Sequence, residues 1–475
     1  MASSVILAAC SSSGSSGSSG SAANAPLATY HADNSRTGYS TDTTITPTNV
    51  SQLTQKWVKQ ETRAISAQAT VNDGVVYWGD WNGIEHATTL NGKSLWSTSV
   101  GQAPKPKACP FKLGGMGVTS TATIGYANGQ KVLWVGGGGG QLYALNASTG
   151  AVLWATSLGP PPEYVLWGSP LLYDGSIYEG VASWNDCPDI DGRFYRVNAA
   201  TGAVQATFYP SVPSTCVGVG IWSSASADPT TNSIFVGTGP TYKKSNLSKP
   251  CFTPDEQAII QLNPSTLSLK SRWALPKTQA GFDLDFGATP TLFSATTANG
   301  VSEPLVGAEN KNGVYYAFDR QDLSAGPVWV YQAETTAVLN GTPCEDLNTI
   351  SSSASAGPGT PVLVAGMGQS GSHCIGTLAA LNPATGTPLW QVPLPGVVQG
   401  AVTEVPGLVA VGAGTSLVVL STTTGATLFS FAEPQTGSYA DNGFDQNFYY
   451  WAPPTISANY LFIGNEDGSF RAFGL

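Results

Sequence analysis

VLWVGGGGGQLYALNASTGAVLW, residues 132–154, carries the pattern that decides the fold. An apolar strand runs into glycines, a turn follows, and a second strand ends at Leu-Asn. Thr-Gly comes next, with an aromatic residue four positions after that glycine. The same offset joins Gly92 to Trp96, Gly150 to Trp154, Gly386 to Trp390 and Gly425 to Phe429. Looser copies occupy 171–209, 231–273 and 303–331, where the turn or the aromatic drifts. Self-similar units built only of strands are the mark of propeller blades. In such a unit Gly supplies the positive φ of the tight turn, and the aromatic on the outer strand packs on the neighbouring blade.

Counting along the chain gives seven full units and a remnant. The remnant comprises Ala452–Ser457, Tyr460–Gly464 and Ser469–Phe473 and lacks an outer aromatic strand; Leu53–Lys59, with Trp57, is an unclaimed strand of that type. The expected fold is therefore all-β: an eight-bladed β-propeller of four-stranded antiparallel blades, closed by an N-terminal strand. Such closure removes the open edges that invite aggregation. Residues 29–475 form this single domain. The composition agrees, with 55 Gly and 32 Pro among 475 residues and only 11% charged residues. A net charge of −10 lacks the basic footprint of a nucleic-acid partner.

Seven cysteines are an odd number until Cys10 is set apart. Leu7-Ala8-Ala9-Cys10 resembles a bacterial lipobox, in which the cysteine is lipidated. Residues 1–10 then read as a lipoprotein signal remnant and 11–28 as a flexible tether, since its Ser/Gly tract buries too little apolar surface to order itself. No run of ~18 or more apolar residues could span a bilayer. The expectation is an exported, membrane-anchored lipoprotein facing the periplasm or the cell exterior. The other six cysteines read as disulfides. Their positions in neighbouring loops on one face pair Cys216 with Cys251, Cys344 with Cys374, and Cys109 with Cys187.

Four segments resemble the quinoprotein alcohol dehydrogenase-like propellers, in particular the polyvinyl-alcohol-dehydrogenase-like branch. They are Tyr30-His31-Ala32-Asp33-Asn34-Ser35-Arg36-Thr37-Gly38; Ile221-Trp222-Ser223-Ser224 leading to Gly237-Thr238-Gly239; Asp283-Leu284-Asp285-Phe286-Gly287-Ala288-Thr289-Pro290; and Lys311-Asn312-Gly313 followed by Asp319-Arg320. The resemblance implies a pyrroloquinoline quinone pocket whose floor is Trp222. Asp283 would take the alcohol proton, and Lys311 would donate to the quinone carbonyl where charge develops. Arg63 is the candidate cation for a quinone carboxylate. Asp283 and Asp285 are the candidate ligands of a calcium or lanthanide ion, which wants six to eight oxygens and so more than this pair supplies.

The sequence also departs from the family pattern. Pro240 stands where relatives place a metal-binding amide after Gly-Thr-Gly, the expected glutamate ligand is replaced by an insert crowded with Asn185, Asp186, Asp189 and Asp191, and no vicinal Cys pair occurs. No Cys-x-x-Cys-His exists, so a covalent haem is not expected and electrons would leave to an external acceptor. Two functions follow: an alcohol oxidation with bound quinone, or a non-catalytic scaffold that binds protein or glycan partners over a degenerate cofactor site.

Overall fold

The computed structural model describes residues 27–107, 109, 114–184, 186–296, 300–334, 338–339, 342–343, 351–357, 359–370, 373–434 and 450–475. Cys10 and Cys344 lie outside the described residues, as does the side chain of Cys374. Among the described residues the regular structure is almost wholly strand, broken by two 3-10 turns at Val50–Gln52 and Leu323–Ala325. Eight antiparallel sheets hold four strands or more among the described residues; the last takes a strand from the other end of the chain, and the fourth is interrupted in sequence by two strands of a smaller sheet. The first runs Thr70–Asn72, Val75–Gly79, Ile84–Thr89 and Ser94–Ser99. Its fourth strand alternates exposed and half-buried positions, whereas a second strand such as Leu408–Ala413 is buried throughout. Strands such as Leu408–Ala413 thus lie in the apolar interior, and fourth strands such as Ser94–Ser99 form an edge that meets water on one face.

The repeat has a direct packing explanation. Gly92, Gly150, Gly386 and Gly425 all have positive φ. Each is also a seat for the aromatic of the preceding sheet: a Cβ on Gly92 would fall 2.8 Å from the Trp57 ring, and one on Gly150 2.7 Å from that of Trp96. The indole N–H then reaches over the same turn. Trp57 donates to the Leu90 carbonyl, Trp96 to that of Ala147, and Trp390 to that of Thr422. Glycine is needed twice over, for the turn and for the ring that lies on it.

The last sheet takes its outer strand from the other end of the chain. Thr54–Gln60 pairs antiparallel with Ser469–Gly474. Trp57 from this strand joins Phe462 and Phe470 in a cluster with Val71, Val76 and Trp78 of the first sheet.

Residues 27–42 form a strap that bonds to seven of the eight large sheets in turn and to the turn that follows Thr455–Ser457 in the last. Leu27 pairs with Val71, and the carbonyls of Ala28, Asn34, Ser35, Thr37 and Gly38 accept from Ile124, Ala227, Leu292, Ser355 and Glu404. Asn34 Nδ2 donates to Leu172 O, and Asp42 accepts from Ala458 N. Arg36, with no exposed surface, pins the strap by donating to the Ala225 and Tyr30 carbonyls and to Thr29 Oγ1. The buried His31 ring bridges the Arg36 and Val402 carbonyls. Leu27, placed in the tether by sequence, is buried because it is the first residue of this strap.

A further three-stranded sheet, Cys216–Gly218, Thr241–Lys243 and Asn246–Pro250, stands beside the fourth large sheet. The expected Cys216–Cys251 disulfide is present and ties its two ends. The expected Cys109–Cys187 bridge is not: both are free thiols in one apolar cluster with Trp81, Met116 and Trp184. Burial first, then the neighbouring Cys109, pushes the Cys187 thiol up to about 12. The thiolate that disulfide exchange requires is therefore scarce there.

Candidate active site

The connection from Leu269–Ala274 to Thr291–Thr296 carries Asp283 and Asp285, and the turn after Ser302–Asn310 carries Lys311. The backbone locks these loops together: Lys311 N donates to Asp285 O at 2.9 Å, and Asn310 Nδ2 to Leu284 O at 3.0 Å. Trp222 approaches from the connection into Ser226–Asp228, and its indole fits only because Gly287 lacks a Cβ. Asp283 has φ of +57°, a left-handed conformation uncommon for a residue other than glycine.

The Lys311 ammonium lies 2.8 Å from Asp283 Oδ1, 2.9 Å from Asp285 Oδ2 and 5.4 Å from the centroid of the Trp222 ring. Trp222 Nε1 donates to Asp285 Oδ1 at 3.0 Å. Four of the residues singled out from sequence, Trp222, Asp283, Asp285 and Lys311, therefore share one site. Arg63 is not among their contacts, since its guanidinium lies against the backbone of Gly114.

One ammonium serves two carboxylates, so the site carries an excess negative charge. Burial opposes ionisation of Asp285, but Lys311, Asp283 and the indole N–H outweigh it and hold this carboxyl below its ordinary range. Asp283 bears the imbalance: burial raises it, Lys311 lowers it, and Asp285 raises it again, to about 7. Burial lowers Lys311, yet Asp285 and Asp283 together raise it above its ordinary range and keep it protonated. The result is a fixed cation beside a carboxyl poised near neutrality, the arrangement a general base requires.

A pocket beside the indole is lined by Asp186, Asp189, Trp222, Pro240, Tyr242 and Asp285, among others. Asp189 is pushed up to about 7, by burial first and then by Asp186, Asp285 and Asp283; Asp186 is raised for the same kinds of reason. Carboxylates that raise one another in this way are a donor set short of positive charge, which suits a hard cation. Among the described residues, however, only Glu61, Asp80 and His86 bring three such ligand atoms within 4.8 Å of one another. The carboxylates of the acidic pocket are thus not drawn together into such a cluster. Sequence reasoning noticed the crowding of Asp186 and Asp189 but did not place them at this site, and it missed Tyr242, whose hydroxyl accepts from Asp283 N at 3.1 Å.

Comparison with known proteins adds the context. The model of the PQQ_2 family, outer membrane protein assembly factor BamB, matches residues 86–242 and 374–474. Quinoprotein ethanol dehydrogenase of Pseudomonas putida is 24% identical over 326 residues, covering 57% of this chain and 50% of its own. Polyvinylalcohol dehydrogenase of Pseudomonas sp is 22% identical over 482 residues, 88% of this chain and 70% of its own. The chain spans about half the length of the first curated relatives it matches. In fold it is similar to quinohemoprotein alcohol dehydrogenase from Comamonas testosteroni, with TM-score 0.71 and 17% identity over 94% of this chain and 80% of that one. It is also similar to a europium-containing methanol dehydrogenase, with TM-score 0.73 and 14% identity over 95% and 98%.

Proposed function

Because the chain belongs to the PQQ_2 family, and because its fold is that of the quinoprotein dehydrogenases, we propose that it oxidises an alcohol with bound pyrroloquinoline quinone. The observation that carries this reading is the Lys311 ammonium held over the Trp222 ring between Asp283 and Asp285. Trp222 would bear the face of the quinone and Lys311 would donate to its oxygen. Asp285, with Asp186 and Asp189, would hold the calcium or lanthanide ion, and that ion would offset the negative charge of this pocket. When bound, the quinone supplies the acceptor for the two electrons that leave the alcohol carbon. The hydroxyl proton goes to the ionised Asp283 carboxylate, which the neighbouring ammonium orients. Electrons then pass to an external acceptor.

In the same reading the eight sheets are the blades of one propeller, and Thr54–Gln60 closes the last of them; its pairing with Ser469–Gly474 supports this. The chain is exported and anchored through Cys10. The test is reconstitution of the purified protein with pyrroloquinoline quinone and Ca²⁺ or a lanthanide, following the cofactor spectrum and the alcohol-dependent reduction of an artificial dye. Pro240 in the pocket wall favours the second reading, a scaffold that binds partners with its cofactor site lost. Failure of the folded protein to take up the quinone under any of these ions would select it.

A further inference from the structure

Asp285 and Asp283 are held very differently. Asp285 is almost fully buried and is fixed by Lys311 and by the indole N–H. The Asp283 side chain is 34% exposed and sits in a loop with a left-handed φ, on a stretch without regular structure. Lys311 and the neighbouring Asp285 carboxyl engage its side chain, and the Tyr242 hydroxyl accepts from its peptide N–H. Lys311 is shared with Asp285, so it cannot by itself fix where the Asp283 backbone lies. Tyr242 can, because it bonds the main chain and is itself only 4% exposed.

Tyr242 owes its rigidity to the small extra sheet. It occupies the middle strand, Thr241–Lys243, opposite Val217 on one side and Pro250 on the other. The entry to that strand is clamped where the Glu256 carboxylate accepts from Thr241 N and Thr241 Oγ1. Cys216–Cys251 joins the first strand to the residue after the third, so the strands on both sides of Tyr242 are tied. Sheets this small are marginal alone. The Phe282 ring also packs on Tyr242, at 5.2 Å between centroids, so Tyr242 contacts the residue before Asp283 as well.

We propose that Tyr242, braced by the Cys216–Cys251 disulfide, is a positioning residue for Asp283, and that the small sheet sets the reach of this carboxylate toward the substrate hydroxyl. The inference rests on the reading of Asp283 as the base. It is tested first without cofactor or turnover, by amide hydrogen exchange of the folded protein. In Tyr242→Phe the Asp283 amide loses its acceptor and should exchange at least tenfold faster, while the amides of the eight large sheets keep their protection. The Cys216→Ser/Cys251→Ser variant should show the same local gain. An unchanged Asp283 amide in Tyr242→Phe overturns the proposal, and so does loss of protection throughout the large sheets.

In the reconstituted protein, Tyr242→Phe should lower kcat by about tenfold to a hundredfold with KM nearly unchanged, the loss expected for a reacting group misplaced by about an ångström. A rise in KM at constant kcat would mean that Tyr242 serves binding instead, and would overturn the positioning role. Should the wild-type protein show no turnover at all, the alcohol-oxidation reading fails, and the exchange experiment still decides whether Tyr242 holds Asp283.

Discussion

Replacing Lys311 by Met keeps the length of the side chain and removes the one cation between Asp283 and Asp285. The ammonium is 13% exposed and touches both carboxylates within 3 Å, at 2.8 and 2.9 Å. Breaking a buried pair by deleting one partner costs about 3–5 kcal/mol, because the remaining charge is left uncompensated. Asp283 is about one-third exposed, so solvent screens part of this, and about 2–3 kcal/mol is the better expectation at pH 8.5. The loss must depend on pH. Asp283 is raised already in the wild type, to about 7, so its favourable contribution is present below the ordinary carboxylate range and is lost as pH rises through about 7. Without Lys311 the Asp283 carboxyl rises further and Asp285 loses the main group that holds it below its ordinary range, so the deficit of the variant grows with pH across that window. At pH 5.5 proton uptake relieves the repulsion and recovers at least about 1 kcal/mol. For a chain of this size each kcal/mol moves Tm by about 1 °C, so calorimetry should find the variant about 2–3 °C less stable at pH 8.5 and clearly closer to wild type at pH 5.5. A deficit of equal size at both pH values, or none, would refute the electrostatic account of the site.

Three further outcomes follow from other parts of the molecule. Arg36→Ala strips the strap of its hydrogen bonds to four acceptors and leaves buried carbonyls unpaired, at about 3 kcal/mol or more; limited proteolysis should then cut within residues 27–42 faster than in the wild type. Gly150→Val places a β-branched side chain at φ +73° and against the Trp96 ring, and should lower stability by about 2–4 kcal/mol as measured by denaturant unfolding. Cys109 and Cys187 should alkylate in the native protein far more slowly than in the unfolded chain, because both are buried and Cys187 is raised to about 12.

What could be read from sequence was what repeats. The glycine–aromatic offset is local, and one physical cause, a ring seated on the next turn, writes it again and again; Thr54–Gln60 was found because Trp57 completes the same seat at Gly92. The strap was not found, although its residues were noticed, because its bonds join positions as far apart as Arg36 and Ala225 and follow no period. Trp222, Asp283, Asp285 and Lys311 were identified through family likeness, and their meeting depends on turns whose geometry the sequence states only through glycines such as Gly287. Tyr242 gave no signal, being one of 18 tyrosines whose importance lies in a single bond across 41 residues. The Cys109–Cys187 pair was misjudged for the same reason. Sharing a face of the fold brings loops near, but it does not say which side chains meet.

Titrating the purified protein with pyrroloquinoline quinone in the presence of Ca²⁺ or a lanthanide, and then adding alcohol and an artificial electron acceptor, tests the central claim most directly. Wild type should bind the quinone and reduce the acceptor only when alcohol is present. Asp283→Asn should bind the quinone, keep the fold and lose the alcohol-dependent rate, since it retains the shape of the base but not its proton affinity. A wild type that binds no quinone, or an Asp283→Asn variant with undiminished turnover, would contradict the account.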